Sequence, residues 1–351
     1  MTRRMAVFSD EGVASLSTLL AEATRMERAA DWDEAFAGYE RLFSAAIDAV
    51  AVETAADALR GLSRICQQWK KFEEAEEFAD LSLEIATRSG YMRAAARATN
   101  TLAVIRFLEH DVQGAGELYR AALQGATDCG DDALVGWSCQ NLGVISNLQG
   151  DLREARALYL ESVASSVRSG DATTAMTAYN SLGMISVDLE EWTESVLYFD
   201  RGLELAEQLG DVAVRAVLLA NRAEPLIFVG EIDRALDTLE QAEELAHEIT
   251  DQRTLSEVNR FRGVICRIQH RTEEAQEHLF RAIEIAAESK LELERAEALE
   301  EVARLRWQEG RAGAARATAR EALHAYREIG TDQAVERILA LLEEWVSGPA
   351  T

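Results

Sequence analysis

The stretch from Asn141 to Ser162 reads NLGVISNLQGDLREARALYLES. It holds a Leu142-Gly143 pair, a Gly150-Asp151 break, and then Ala155, Tyr159 and Ser162 at helical spacing. Moving 40 residues in either direction finds the pattern again. The alanine column runs Ala35, Ala75, Ala115, Ala155, Ser195, Ala235, Ala275 and Ala315. Four residues later stand Tyr39, Ala79, Tyr119, Tyr159, Phe199, Leu239, Leu279 and Ala319. Three further on come Leu42, Ser82, Ala122, Ser162, Gly202, Ala242, Ala282 and Ala322. A strict period over most of a chain marks stacked copies of one supersecondary unit, each unable to bury its apolar face alone. The expected fold is all-α, a right-handed α-solenoid of about eight antiparallel helix pairs.

Each unit reads as two helical segments. The first carries Leu62, Leu102, Leu142 and Leu182, followed by Arg222, Arg262 and Val302. Beside it runs a small column of Ser63, Ala103, Gly143, Gly183, Ala223, Gly263 and Ala303, which lets the second helix approach closely. Breaks inside units fall at Gly150, Gly230 and Gly310, with His110 and His270 as variants, and breaks between units at Gly90, Gly130, Gly170, Gly210 and Gly330. Glycine suits a helix C-terminus, and the aspartates that often follow suit the next N-cap.

Composition agrees. The 351 residues include only 2 prolines, too few for a loop-rich β protein. The net charge is −26, and residues 101–250 alone carry 26 acidic and 9 basic residues. Such a field repels nucleic acid and anionic membranes and steers basic partners inward, besides keeping a surface solvated. Cys66, Cys129, Cys139 and Cys266 show no metal spacing and read as buried small side chains in a reducing compartment. No leader or membrane-span pattern is visible, so a cytoplasmic location is expected.

The spacing Leu142-Gly143, Ala155, Tyr159, Ser162 resembles the tetratricopeptide repeat, whose pattern is L-G, then A, x3, F, x2, A. The resemblance covers about residues 16–335, as eight repeats beginning at 16, 56, 96, 136, 176, 216, 256 and 296. An N-terminal arm (1–15), a capping helix (332–346) and a tail (347–351) complete the expected layout. The repeats are longer than the usual 34 residues. They look like those of Leu-Gly-Asn scaffolds, kinesin light chains and bacterial peptide-sensing regulators. The Leu-Gly-Asn binding mode does not transfer, since Val144 and Met184 stand where its asparagine would be. The Lys/Asn clamp of chaperone-binding relatives is also absent; Arg60, Arg64, Thr101, Trp137 and Asn141 occupy those places.

In the family the resemblance points to, first helices line the concave face. The corresponding columns give Arg97, Asn100, Val104 and Phe107 in the third repeat, and Trp137, Gln140, Val144 and Asn147 in the fourth. They give Asn180, Met184 and Val187 in the fifth, and Glu224 and Phe228, beside Asn221, in the sixth. Val104, Phe107, Val144, Met184 and Val187 form an apolar floor crossed by the amides of Asn100, Gln140 and Asn180. Amides offer a donor and an acceptor to an extended peptide, or equally to a neighbouring helix. Pro225 should kink or break its helix, either opening the groove near Asn221, Glu224 and Phe228 or as a tolerated irregularity.

No zinc-protease, phosphate-loop or nucleophile-elbow motif occurs, so neither catalysis nor a cofactor is expected. The reading is an adaptor that holds a protein or peptide partner bearing basic and apolar residues. The alternatives are a ligand-responsive sensor and a self-assembling scaffold.

Overall fold

Every twentieth residue from Ala30 to Gly330 takes a left-handed backbone conformation. Eight of these are glycines; the others are Ala30, Val50, Lys70, His110, Glu190, Thr250, His270 and Lys290. They punctuate a computed structural model that describes residues 10–347 as seventeen α-helices, with no strand among the described residues. The odd-numbered helices are α1 (Asp10–Arg28), α3 (Val52–Gln68), α5 (Met92–Leu108), α7 (Asp132–Leu148), α9 (Ala172–Asp188), α11 (Val212–Phe228), α13 (Gln252–Ile268), α15 (Glu292–Gln308) and α17 (Asp332–Ser347). Between them lie α2 (Trp32–Asp48), α4 (Phe72–Arg88), α6 (Val112–Cys129), α8 (Leu152–Ser169), α10 (Trp192–Leu209), α12 (Ile232–Ile249), α14 (Thr272–Glu288) and α16 (Ala312–Ile329). Residues 1–9 of the expected arm and 348–351 of the tail lie outside the described residues, and α1 already begins at Asp10.

The molecule is thus an all-α solenoid of paired helices. From α3 to α15 the first helices begin four residues before the repeat boundaries read from the sequence, because the chain re-enters a helix two residues after each left-handed residue. Several of those entries are capped. Asp111, Asp131, Asp151 and Asp211 each accept a hydrogen bond from a backbone N–H of the helix they precede.

The small columns are where helices touch. All eight members of the Ala35 column are fully buried, and so is every member of the next. Serines pin the backbones reciprocally across these contacts. Ser63 Oγ donates to the Ala75 carbonyl at 2.7 Å in one repeat, and Ser195 Oγ donates to the Gly183 carbonyl at 2.9 Å in another. Ser82 Oγ donates to Ala56 O, Ser162 Oγ to Gly136 O, and Ser256 Oγ to Ala282 O, at 2.9–3.0 Å. Gly143 lies under Tyr159: a Cβ there would come within 2.5 Å of the ring. At Gly183 the same addition meets Phe199 at 2.6 Å.

At Pro225 the break that the sequence allowed for does not occur. Helix α11 runs without a break through Pro225 to Phe228. Pro225 stands in the last turn, where only the bond to the Asn221 carbonyl is lost. Beyond it the helix still closes, Val229 N–H bonding to Pro225 O at 3.0 Å, and burial of Pro225, Leu226 and Ile227 holds the turn in place.

The chain divides into two compact units at Thr174–Ala175, within the first turn of α9. Each has a similar lock, among α1, α2 and α3 in unit 1 and among α15, α16 and α17 in unit 2. In unit 1, Glu27 accepts from Tyr39 Oη and from Arg64 Nε and Nη2 at 2.7 Å, joining α1, α2 and α3. In unit 2, Glu300 accepts from Tyr326 Oη at 3.0 Å and from Arg337 Nε and Nη2 at 3.2 and 3.0 Å, joining α15, α16 and α17. Burial alone would raise the pKa of either carboxyl. The arginine bonds and charges outweigh it, so both are held below the usual carboxylate range.

Candidate functional site

On the first helices of unit 1, Val104 and Phe107 are half-buried and pack onto the core beneath α5 and α7. Val144 is half-buried beside them. Asn100 Oδ1 accepts from Ser138 Oγ at 3.4 Å, an inter-repeat bond between α5 and α7. Gln140 is buried, and Asn147 Oδ1 is shielded from solvent without a hydrogen-bond partner. Arg97 and Trp137 are less free than the sequence suggests. Arg97 Nε donates to Asp131, and Trp137 Nε1 donates to Asp171 at 2.7 Å. Both aspartates immediately precede the next first helix, exactly one loop ahead of it, and each bond reaches 34 residues along the chain. That spacing is a readable signal once the N-cap column is recognised.

In unit 2, Asn180 Oδ1 accepts from Asn221 Nδ2 at 3.1 Å, so these amides join α9 to α11. Val187 packs against the buried cluster of Met176, Phe199 and Leu218. Met184 stays exposed, and Phe228 stacks on Trp192 with ring centroids 4.3 Å apart. The last residues of several first helices are exposed and apolar: Leu108 (42%) and Leu148 (65%) in unit 1, and, separately, Phe228 (54%) and Ile268 (44%) in unit 2. Of these only Phe228 is among the residues singled out from the sequence; Leu108, Leu148 and Ile268 lie at 40-residue multiples from it.

Charge distinguishes the two faces. In unit 1, burial pushes Arg60 down to about 10; Asp57 at 3.3 Å opposes this, while Arg64 and Arg97 add to it. In unit 2, burial pushes Glu257 up to about 7 despite Arg260, with Glu297 and Glu294 adding to it. Burial likewise raises Glu224. By the 40-residue period Arg60 and Arg260 share the column of Asn100, Gln140 and Asn180, and Glu257 shares that of Arg97 and Trp137. A depression of about 800 Å³ among α12, α13 and α14 is lined by charges that already pair, Arg262 with Glu243 at 2.7 Å.

No protein-family model matches the chain, and no curated protein matches it in sequence. Solved structures do resemble it. The tetratricopeptide-repeat-sensor STAND ATPase PH0952 from Pyrococcus horikoshii is 15% identical at a TM-score of 0.64, over 95% of this chain and 50% of that one. A Rap protein complexed with competence and sporulation factor is 13% identical at 0.56, over 95% and 98% of the two chains. BtubC from P. vanneervenii is 19% identical at 0.54, over 67% and 92%. With seventeen tandem helices and one set of packing columns, the chain has the tetratricopeptide-repeat fold.

Proposed function

We propose that the chain is a protein-interaction adaptor that holds an extended peptide or a helix of a protein partner against its first helices. The exposed apolar ends of first helices within each unit, Leu108 and Leu148 in unit 1 and Phe228 and Ile268 in unit 2, carry this reading. Large apolar side chains repeated at one register beside half-buried amides suit apolar anchors and a peptide backbone. The strongly acidic middle of the sequence favours a partner with lysine or arginine near those anchors, and disfavours nucleic acid. The Rap protein complexed with its factor supports the reading by analogy of fold only.

The test starts from twelve-residue peptides selected on the full chain from a random displayed library. Leu148→Ser in unit 1 and Phe228→Ser in unit 2 should each weaken a selected peptide that contacts that face about tenfold, while leaving the helical signal intact, since both side chains are exposed. Affinity untouched by either variant places binding on the second helices and contradicts the proposal. A sensor reading, which the neighbour with a repeat sensor favours, adds one outcome. A peptide that compacts the chain in solution scattering marks a sensor, and one that binds without compaction marks an adaptor.

A further inference from the structure

Around Arg260 the first helices of unit 2 gather more carboxylates than guanidiniums. Arg260 Nη2 stands 3.2 Å from Glu297, and Glu224, Glu257 and Glu301 act on it electrostatically as well. The neighbouring arginines are already engaged: Arg267 with Glu301 at 2.8 Å, and Arg304 and Arg337 with Glu300 at 2.8 and 3.0 Å. Glu224 on α11 and Glu257 on α13 share only the longer-range attraction of Arg260. Among the described residues neither forms an ion pair or a hydrogen bond, and Oε2 of Glu257 is shielded from solvent with nothing donating to it. A shielded carboxylate without a partner is costly, and packing alone does not require one here. A glutamine or an apolar residue of similar size would fill either place without the charge.

Resting on the peptide-binding reading above, we propose that Glu224 and Glu257 form a cation subsite that takes two basic side chains of the bound peptide. The geometry sets their spacing. Residue 264 is the 40-residue equivalent of 224, so Glu257 lies seven positions lower on the neighbouring first helix, about 10 Å along its axis. Alternate residues of an extended segment point to one side about 7 Å apart. Long flexible lysine or arginine side chains cover the remaining distance. The motif expected is therefore basic-x-basic.

Protonation fits the same picture. Glu257 faces Arg253 and Arg260 on its own helix and Glu294 and Glu297 on α15, while Arg260, Glu297, Glu301 and Arg337 act on Glu224. Burial, with Glu297 and Glu294 adding to it, favours the protonated form of Glu257 near neutrality when the subsite is empty. An incoming cation reverses that preference, so binding releases protons at pH 7 and weakens as the pH falls.

The probe is a basic-x-basic peptide recovered from the displayed library, and a copy with citrulline at both basic positions. On the wild-type chain the citrulline copy should bind about tenfold or more weakly at pH 7.5. On Glu224→Gln/Glu257→Gln the two peptides should bind within about twofold of each other, and neither should respond to pH between 5.5 and 7.5. The double variant removes two carboxylates that accept no hydrogen bond but also weakens the negative field around Arg260, so its melt is checked beside wild type; were it to misfold, Glu257→Gln alone carries the comparison. Equal binding of both peptides to wild type overturns the cation subsite and leaves the peptide-binding reading standing. Failure to recover any peptide on wild type overturns the peptide-binding reading, and this subsite with it.

Discussion

Arg60 in unit 1 and Glu257 in unit 2 occupy groove columns of first helices, and each is a shielded charge without a full set of partners. They differ in sign. Around Arg60 stand Arg64 and Arg97, opposed by Asp57 and Asp131; around Glu257 stand Glu297 and Glu294, opposed by Arg260 and Arg253. The buried columns do not differ in this way: Ala75 and Ala115 in one unit are matched by Ala235 and Ala275 in the other, all fully buried. The same scaffold therefore carries two floors of different chemistry. Contacts between helices constrain the small columns tightly, while the groove columns are constrained only by what they meet.

If packing is common to both units, one insertion should damage either. Gly143→Leu in unit 1 and Gly183→Leu in unit 2 drive a side chain into Tyr159 or Phe199, and each should cost about 3 kcal/mol in denaturant unfolding. Tyr159→Ala should recover part of the loss in Gly143→Leu but none in Gly183→Leu. An unchanged midpoint for either glycine variant would separate the units in their packing as well.

The two locks should show a graded effect. Glu300→Ala strands Arg337 and the Tyr326 hydroxyl around a buried site and should cost about 2 kcal/mol. Glu27→Ala, in a more open triad, should cost about 1 kcal/mol once solvent screening is allowed for. Both carboxyls are held low when folded, so their contribution is present above the usual carboxylate range and is lost as pH falls through the folded value. Glu257 runs the other way: its folded value is raised, so stability declines as pH rises from about 4.5 to about 7. Glu257→Gln should flatten that decline in melts at graded pH, whereas Glu300→Ala should leave it in place.

The smallest effect concerns the helix breaks. Val50 and Thr250, one in each unit, are β-branched residues at φ 56° and 57°, where an L side chain is strained. Val50→Gly and Thr250→Gly should each stabilise the chain by about 0.5–1 kcal/mol. A loss of stability in unfolding experiments would mean that these side chains pack well enough to offset the strain.

Most of the fold is legible in the sequence because the packing columns repeat without interruption. The breaks at Ala30, Val50, Lys70, Glu190, Thr250 and Lys290 are not, because no glycine marks them; only the 20-residue interval between glycines such as Gly130, Gly150 and Gly170 points to them. Pro225 misleads because its cost depends on distance from the helix end, which the residue itself does not reveal. The groove columns are legible as positions, but their partners are not. Asn180 meets Asn221, and Trp137 meets Asp171, at separations set by how one repeat stacks on the next.

The central claim is that the first helices, and not the second, receive the partner. Hydrogen–deuterium exchange on the full chain, with and without a peptide selected from the displayed library, tests it directly. The expected result is slower exchange in first helices such as α5, α7, α11 or α13, with α6, α8, α12 and α14 unchanged. Slowing confined to the second helices would contradict the account.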